Sequence, residues 1–168
     1  MGIRHILATI ALLGLTVPAS GQRADPARGP ETNLPLPRYV SMKASEAYAR
    51  RGPSRGHRID WVFVRRHMPL QVTNEYGHWR RVQDAEGAGG WMHYSLLSGT
   101  RTAVVEVDDL VLRRAPGVEA PAAARLERGV VARLGDCAVG WCELEVDGVE
   151  GWAPASAIWG VDPAEAAG

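Results

Sequence analysis

Short runs in which apolar and polar residues alternate, separated by Gly, Pro and Asp-Gly turns, fill most of the chain after residue 37. Alternation with a period of two predicts β-strands, and helical periodicity is scarce. The predicted strands of the first half cover residues 42–50, 59–66, 69–74, 79–83 and 90–93. Those of the second half cover residues 110–113, 123–126, 129–134, 141–146 and 149–153. Residues 94–97 and 155–158 are each expected to form one turn of 3₁₀ helix, so the pattern predicts an all-β protein.

The two halves repeat each other. RRGPS at residues 50–54 returns as RRAPG at 113–117, and GHWR at 77–80 returns as VGWC at 139–142. GWMHYSLL at residues 90–97 returns as GWAPASAI at 151–158. A period of about 60 residues is too long for a solenoid and indicates two small domains in tandem. We place these domains at residues 38–104 and 105–161.

The segments outside the repeat have their own signatures. Arg4 and His5, the apolar run 6–17 and the small residues 19–21 are typical of a secretory signal peptide, residues 1–21, cleaved before Gln22. Residues 22–37 contain four prolines and predict an extended or disordered linker. Residues 162–168 are expected to be a frayed tail.

The same features predict where the protein is located. No cysteine comes directly after the apolar run, which argues against a lipoprotein anchor. No later segment is apolar over the 18 or so residues that a membrane span needs. We therefore expect a soluble mature protein, in the periplasm or secreted, with no membrane anchor.

Five short strands and a closing 3₁₀ turn suggest a small, strongly bent antiparallel barrel. The order of an Arg-x-Gly/Ala-Pro-Ser/Gly turn, a lone Trp about 25 residues later, a Gly-Trp pair and a Ser-containing turn resembles the bacterial SH3-like domain in its tandem, exported form. The resemblance covers about residues 36–161. It implies two SH3-like antiparallel β-barrels in tandem and does not specify which ligand they bind. Tyr48-Ala49 and Ala115 depart from the family pattern without threatening the fold.

Two tryptophans at equivalent places are the first candidates for ligand binding. Val82 and Leu144 mark the core-facing side of their strands, so the alternation places Trp79 and Trp141 on the outer face. In SH3-like domains the equivalent position borders the peptide groove, so the resemblance implies a binding role. The alternative is that each ring packs under a loop or against the other domain.

Further aromatic and polar side chains lie close to Trp79 in sequence. Tyr76, His78, His93 and Tyr94 would give a groove polar edges, and aromatic rings with a few donors suit a peptide or a sugar ring. Trp91 and Trp152, which follow the repeated glycines, are expected to be structural and to close the barrels. Trp61 and Trp159 lack a partner in the repeat and are candidates for the contact between the domains.

The only cysteines, Cys137 and Cys142, bracket the predicted tip of a hairpin. Directly opposed residues in a hairpin have Cα atoms within disulfide reach, and an exported chain meets an oxidising compartment. We therefore predict a disulfide, which would stiffen the loop that carries Trp141. The histidines of the first half are scattered, and the second half has none, so we expect no metal site and no cofactor.

The net charge of zero hides an asymmetry. Residues 36–104 hold eleven basic and five acidic residues, a net charge of +6, whereas residues 105–168 hold five and twelve, a net charge of −7. Opposite charges would help the two domains dock, which is the interpretation we favour. Alternatively, the first domain meets an anionic partner such as a glycan, a lipid head group or an acidic peptide.

These observations favour a non-catalytic periplasmic binding or adaptor protein whose ligand is a peptidoglycan stem peptide or glycan. The alternatives are a protein–protein interaction module for a periplasmic partner, or an accessory module of a cell-wall hydrolase system. An enzyme is disfavoured, because both cysteines are expected to be oxidised and no Ser-His-Asp spacing or carboxylate pair stands out, so we name no catalytic residue. Export and the dispersed arginine pairs argue against nucleic acid as a partner.

Overall fold

The computed structural model describes residues 27–167, and nearly all of the regular structure is β. A hairpin of two short strands precedes two antiparallel sheets of seven strands each, and the sheets follow one another along the chain. The prediction of an all-β protein with two barrels in tandem is confirmed. The signal-peptide prediction and residues 22–26 of the predicted linker lie outside the described residues.

The first barrel follows the N-terminal hairpin, which pairs β1 (Ala27–Arg28) with β2 (Pro35–Leu36). Its seven strands are β3 (Arg38–Met42), β4 (Ala47–Arg50), β5 (Ile59–Phe63), β6 (Pro69–Tyr76), β7 (Trp79–Gln83), β8 (Gly89–His93) and β9 (Leu97–Ser98). A 3₁₀ turn over Tyr94–Leu96 joins the last two strands.

The second barrel repeats this scheme. Its strands are β10 (Thr102–Val105), β11 (Leu110–Arg113), β12 (Ala122–Leu126), β13 (Val131–Ala138), β14 (Trp141–Val146), β15 (Val149–Pro154) and β16 (Ile158–Trp159). A 3₁₀ turn over Ala155–Ala157 precedes the last strand, and a short helix α1 (Pro163–Ala166) follows it. The strand order is β5-β4-β8-β7-β6-β3-β9 in one sheet and β12-β11-β15-β14-β13-β10-β16 in the other, which is the same topology twice.

Each barrel encloses its own small apolar core. Strand alternation turns every second residue inward, and the inward residues are almost all aliphatic. The first core consists of Met42, Ala47, Ala49, Phe63, Leu70, Val72, Val82 and Met92. The second consists of Ala103, Val105, Leu110, Leu112, Leu126, Ala132, Leu134, Cys142, Leu144, Ala153, Ala157 and Ile158.

The first strand of each barrel differs from its prediction. The run expected as one strand over residues 42–50 is two strands, since residues 43–46 form a polar turn between them. Strand β10 was not predicted at all, and it begins three residues before the expected start of the second domain at residue 105. Consecutive residues Thr102 and Ala103 are both buried there, so no alternation shows in the sequence.

The expectation of a disordered linker is wrong for residues 27–37. The hairpin is held by Glu75, whose carboxylate accepts hydrogen bonds from the backbone N–H groups of Glu31 and Thr32, at 3.1 and 2.9 Å. The hydroxyl of Thr32 donates a further hydrogen bond of 2.7 Å to the same carboxylate. A Pro-rich composition predicts weak burial but does not reveal such long-range polar contacts.

The expectation of a frayed C-terminal tail is wrong for residues 162–167. Asp162 caps helix α1, and Glu165 completes a capping box. Glu165 also pairs with Arg101 at 2.9 Å, and the N–H of Gly140 donates to the carbonyl of Ala166 at 2.7 Å. These contacts fasten the tail to the second barrel. No helix within residues 27–167 has the length and apolar character needed to cross a membrane.

The junction between the barrels contains one of the two tryptophans expected there. Trp159 packs edge-on against Tyr39 of the first barrel, with 5.1 Å between the ring centroids. Trp61 lies elsewhere, on the edge strand β5, and is 46% exposed. Two hydrogen bonds also cross the junction, from the hydroxyl of Thr102 to the carbonyl of His67 at 2.7 Å and from Arg65 to the carbonyl of Gly129 at 2.5 Å.

Candidate ligand groove

Strands β7 and β8 place Trp79 opposite His93 on the outer face of the first barrel. These two residues are directly paired in the antiparallel register. Val82 and Met92 occupy the inward positions of the same strands and are buried in the core. The indole of Trp79 meets the imidazole of His93 edge-on, with centroids 5.6 Å apart.

Two further rings complete an aromatic cluster, which we define as His78, Trp79, His93 and Tyr94. The centroids of His93 and Tyr94 are 5.0 Å apart, and that of His78 is 5.6 Å from Tyr94 and 5.9 Å from His93. The N–H of Tyr94 donates to the carbonyl of His78 at 2.9 Å, which ties the 3₁₀ turn to the β6–β7 hairpin. The cluster is therefore assembled by backbone pairing of β7 and β8 and by the turn that follows β8.

Beside this cluster lies an open groove of about 330 Å³, here called the outer groove. Strand β4, the loop after it, strands β7 and β8 and the 3₁₀ turn supply its walls. The lining residues are Tyr48, Arg50, Arg55, Trp79, His93, Ser95 and Leu96.

The loop at residues 51–58 carries Arg55 to the groove and is held in shape by its own contacts. Arg50 donates to the carbonyl of His57 at 2.8 Å, and the N–H of Arg51 donates to the carbonyl of Arg58 at 2.9 Å. At Gly52 a Cβ would lie 2.5 Å from Nε2 of His57, so a larger residue there would displace that exposed ring.

His93 is the titratable ring of the groove. Burial is the largest cause that lowers its pKa, and electrostatic interaction with His78, Arg55 and Arg80 lowers it further. The ring is therefore neutral at neutral pH. Its Nδ1 lies 2.8 Å from the hydroxyl oxygen of Ser95 and 3.3 Å from the backbone nitrogen of the same residue, so the 3₁₀ turn holds the ring in place.

The structure brings together four of the residues predicted for the site. His78, Trp79, His93 and Tyr94 form the aromatic cluster, as described above. Tyr76 is paired with Trp79 across the β6–β7 hairpin but is 64% exposed and does not line the outer groove. Trp141 lies in the second barrel, apart from this cluster.

Trp91 and Trp152, predicted to be structural, lie beside the cores rather than inside them, and their structural role stays a prediction. Both are half-buried, and the core positions next to them are taken by Met92 and Ala153. Trp91 is paired with Arg81 and Trp152 with Glu143 in the outward-facing register. The residues that pack tightly against the neighbouring strand are the glycines before the tryptophans, Gly90 and Gly151, rather than the indole rings.

Sequence reasoning missed the cationic wall of the groove. Tyr48 and Arg50 alternate with the core residues Ala47 and Ala49, so the pattern of β4 could have placed them outside. Arg55 lies in an irregular loop, where alternation carries no information.

The second barrel has the same backbone arrangement with different side chains. Trp141 is paired with Pro154 as Trp79 is with His93, and Arg113 donates to the carbonyl of Ala120 at 2.7 Å as Arg50 does to His57. The repeat aligns Tyr48, Arg55, His78, His93 and Tyr94 with Val111, Val118, Gly140, Pro154 and Ala155. The second barrel therefore keeps the tryptophan and loses the histidines, the tyrosines and one arginine.

The predicted disulfide between Cys137 and Cys142 is confirmed. The two residues are directly paired in the β13–β14 hairpin, with Cα atoms 4.1 Å apart. Cys142 is also fully buried in the second core, so the bond fastens the hairpin tip before Trp141 to that core. In the described part of the chain no group of three or more His, Cys, Asp and Glu side chains is arranged to hold a metal ion.

Comparison with known proteins identifies the family. Residues 43–99 and residues 106–160 each match the sequence profile of the bacterial SH3 domain. The chain therefore belongs to the bacterial SH3 domain family and contains two copies of the domain. No curated protein sequence matches the chain significantly.

Two solved structures show a weaker similarity. NlpC2 from Trichomonas vaginalis is 12% identical, with a TM-score of 0.35 over 76% of this chain and 51% of that one. NlpC1 from the same organism is 9% identical, with a TM-score of 0.34 over 79% of this chain and 49% of that one. The chain thus spans about half the length of these proteins, and similarity at this level does not establish a shared activity.

Proposed function

We propose that this protein is a non-catalytic binding module of the bacterial cell envelope, and that its first barrel holds a peptidoglycan stem peptide or glycan in the outer groove. The observation that carries the proposal is the aromatic cluster of His78, Trp79, His93 and Tyr94 beside that groove. Flat rings with a few polar atoms supply contact area and orientation for a peptide or a sugar. Membership of the bacterial SH3 domain family supports a binding role.

A location outside the cytoplasm is part of this proposal. A disulfide such as Cys137–Cys142 persists in oxidising compartments. The N-terminal sequence pattern, a basic start, an apolar run and small residues, supports export. Both cysteines are bonded to each other, so neither is a thiolate nucleophile, which supports a binding rather than a catalytic role.

Retention of the purified mature protein on isolated sacculi tests the proposal. We expect the wild type to bind saturably and Trp79→Ala to bind at least about tenfold more weakly, since truncating an aromatic anchor of an interface commonly has that effect. Trp61→Ala is the matched control, because it removes the same ring from an exposed edge strand and should leave retention unchanged.

Two results would contradict the proposal. Absence of wild-type retention would direct attention to a protein partner or a cell-wall hydrolase system, to be sought by periplasmic cross-linking. Equal retention of the wild type and Trp79→Ala would remove the outer groove from the binding site.

A further inference from the structure

Direct ion pairs with the acidic second barrel account for little of the basic charge of the first barrel. Of the ion pairs within residues 27–167, the pair of Arg101 with Glu165 alone joins the basic and acidic halves. The others lie inside one barrel. The junction instead uses an aromatic pair and hydrogen bonds to backbone carbonyls. The preference for charge-driven docking is therefore not supported, and a net charge of +6 over residues 36–104 remains to be explained.

Part of this charge faces the outer groove. Arg50 and Arg55 line it, and none of its lining residues is acidic. The acid nearest in sequence to its lining residues, Glu46, accepts a hydrogen bond from the hydroxyl of Tyr48 at 2.8 Å and is not part of the lining.

Arg55 differs from the other arginines of its loop. Arg51 and Arg58 both pair with Asp60, at 3.1 and 2.8 Å. Arg50 donates to the carbonyl of His57. Arg55 has no hydrogen-bond or ion-pair partner in the part of the chain that the structure describes, so its guanidinium is available to a ligand. The field of Arg55 also contributes to the lowered pKa of His93, after the larger effects of burial and His78, consistent with its position beside the groove.

The second barrel provides an internal comparison. Its loop keeps the hydrogen bonds from the Arg113 side chain to the carbonyl of Ala120 and from the N–H of Arg114 to the carbonyl of Pro121. However, Val118 stands at the position of Arg55 and Glu119 follows it. Pro154 stands at the position of His93. Of the cations of the first groove, the second barrel thus keeps only the counterpart of Arg50, Arg113.

We propose that the outer groove of the first barrel selects a peptide with a free carboxylate, that Arg55 forms the ion pair with it, and that the corresponding surface of the second barrel does not bind this ligand. The proposal rests on the proposed function and gives its ligand class. A guanidinium binds a carboxylate through two parallel hydrogen bonds, and Trp79 and Tyr48 supply aromatic surface for the residue that carries it.

Chemical amidation of the carboxylates of isolated sacculi tests this inference. The wild-type mature protein should be retained about tenfold less on amidated than on native sacculi, because a charge-assisted pair is lost. Arg55→Gln should bind native sacculi about tenfold more weakly than the wild type and should respond little to amidation. Arg55→Lys should fall between them, since it keeps the charge but loses the planar fork.

Matched controls separate the groove from overall charge. Arg66→Gln makes the same charge change at an exposed residue outside the groove lining and should behave like the wild type. Val118→Gln alters the corresponding position of the second barrel and should also have no effect.

The failures of the two proposals are distinguishable. Wild-type retention that is equal on native and amidated sacculi, or equal losses in Arg55→Gln and Arg66→Gln, would overturn the carboxylate inference and leave the binding function standing. No retention on native sacculi would overturn both. Binding to phosphatidylglycerol vesicles that is lost in Arg55→Gln would assign the groove to a phosphate and a membrane surface instead.

Discussion

Glu75 is a carboxylate whose side chain is fully buried beneath the N-terminal hairpin. Arg38 donates to it at 2.7 Å, and the Nε of Arg80 lies 3.5 Å away. Burial by itself would raise its pKa, but the hydrogen bonds from Thr32, Arg38 and the backbone of Thr32 and Glu31 outweigh it and lower the pKa to about 2. The folded state therefore favours the ionised form of the Glu75 carboxylate.

Removing this charge should destabilise the protein in a pH-dependent way. Glu75→Gln leaves two arginines without their shared carboxylate, so we expect the free energy of unfolding at neutral pH to fall by about 3 kcal/mol. A pKa of about 2, below the ordinary value of 4.5, means that the carboxylate stabilises the fold above about pH 4.5 and loses this contribution as the pH falls towards 2. Urea denaturation at several pH values should therefore show the wild type and Glu75→Gln converging in acid.

Glu86→Gln is the control for that experiment, since Glu86 is exposed. It should unfold like the wild type throughout. A difference between wild type and Glu75→Gln that stays constant from neutral to acid pH would show that Glu75 contributes through packing rather than through its charge.

At the scale of elements, the alternation of apolar and polar residues predicted the strands that have one solvent-exposed face and one buried face. Strands β7 and β14 are the clearest cases, with Val82 and Leu144 inside and Trp79 and Trp141 outside. Strand β10 was missed because it is buried in consecutive residues. The N-terminal hairpin was missed because it is held by a carboxylate 43 residues away along the chain, and local patterns carry no such information.

The hairpin depends on a glycine at its closest approach to the barrel. A Cβ on Gly29 would lie 2.3 Å from a carboxylate oxygen of Glu75, so Gly29→Ala should push the segment off the barrel. Hydrogen–deuterium exchange should then rise by at least about tenfold at the amides of residues 29–34 and stay unchanged in β6 and β7. Gly56→Ala, where the nearest atom would be 3.7 Å away, should leave exchange in the hairpin as it is. Unchanged protection in Gly29→Ala would mean that Glu75 does not anchor the hairpin.

At the scale of the whole molecule, the sequence repeat predicted two barrels but not that their outer faces differ in chemistry. The tryptophans recur at the same place, which made both Trp79 and Trp141 candidates for ligand binding. The structure shows that the surroundings of Trp79 are cationic and aromatic, whereas those of Trp141 contain Pro154 and a disulfide-closed hairpin. Half of the candidate site, the aromatic cluster, was therefore predictable, and the contribution of Arg55 was not, because it depends on how a loop folds back.

The two barrels should behave as one coupled unit, since each has a core of marginal size and they share a packed junction. The pair of Tyr39 and Trp159 is the test of that coupling. A double-mutant cycle with Tyr39→Ala and Trp159→Ala, followed by urea denaturation, should give an interaction energy of about 1 kcal/mol, the value typical of an aromatic pair. The same cycle with Trp61→Ala in place of Trp159→Ala should give none, because Trp61 lies on the edge strand β5. An interaction energy of zero for Tyr39 and Trp159 would mean that the barrels are tethered rather than coupled, and ligand binding in the first barrel would then leave the stability of the second unchanged.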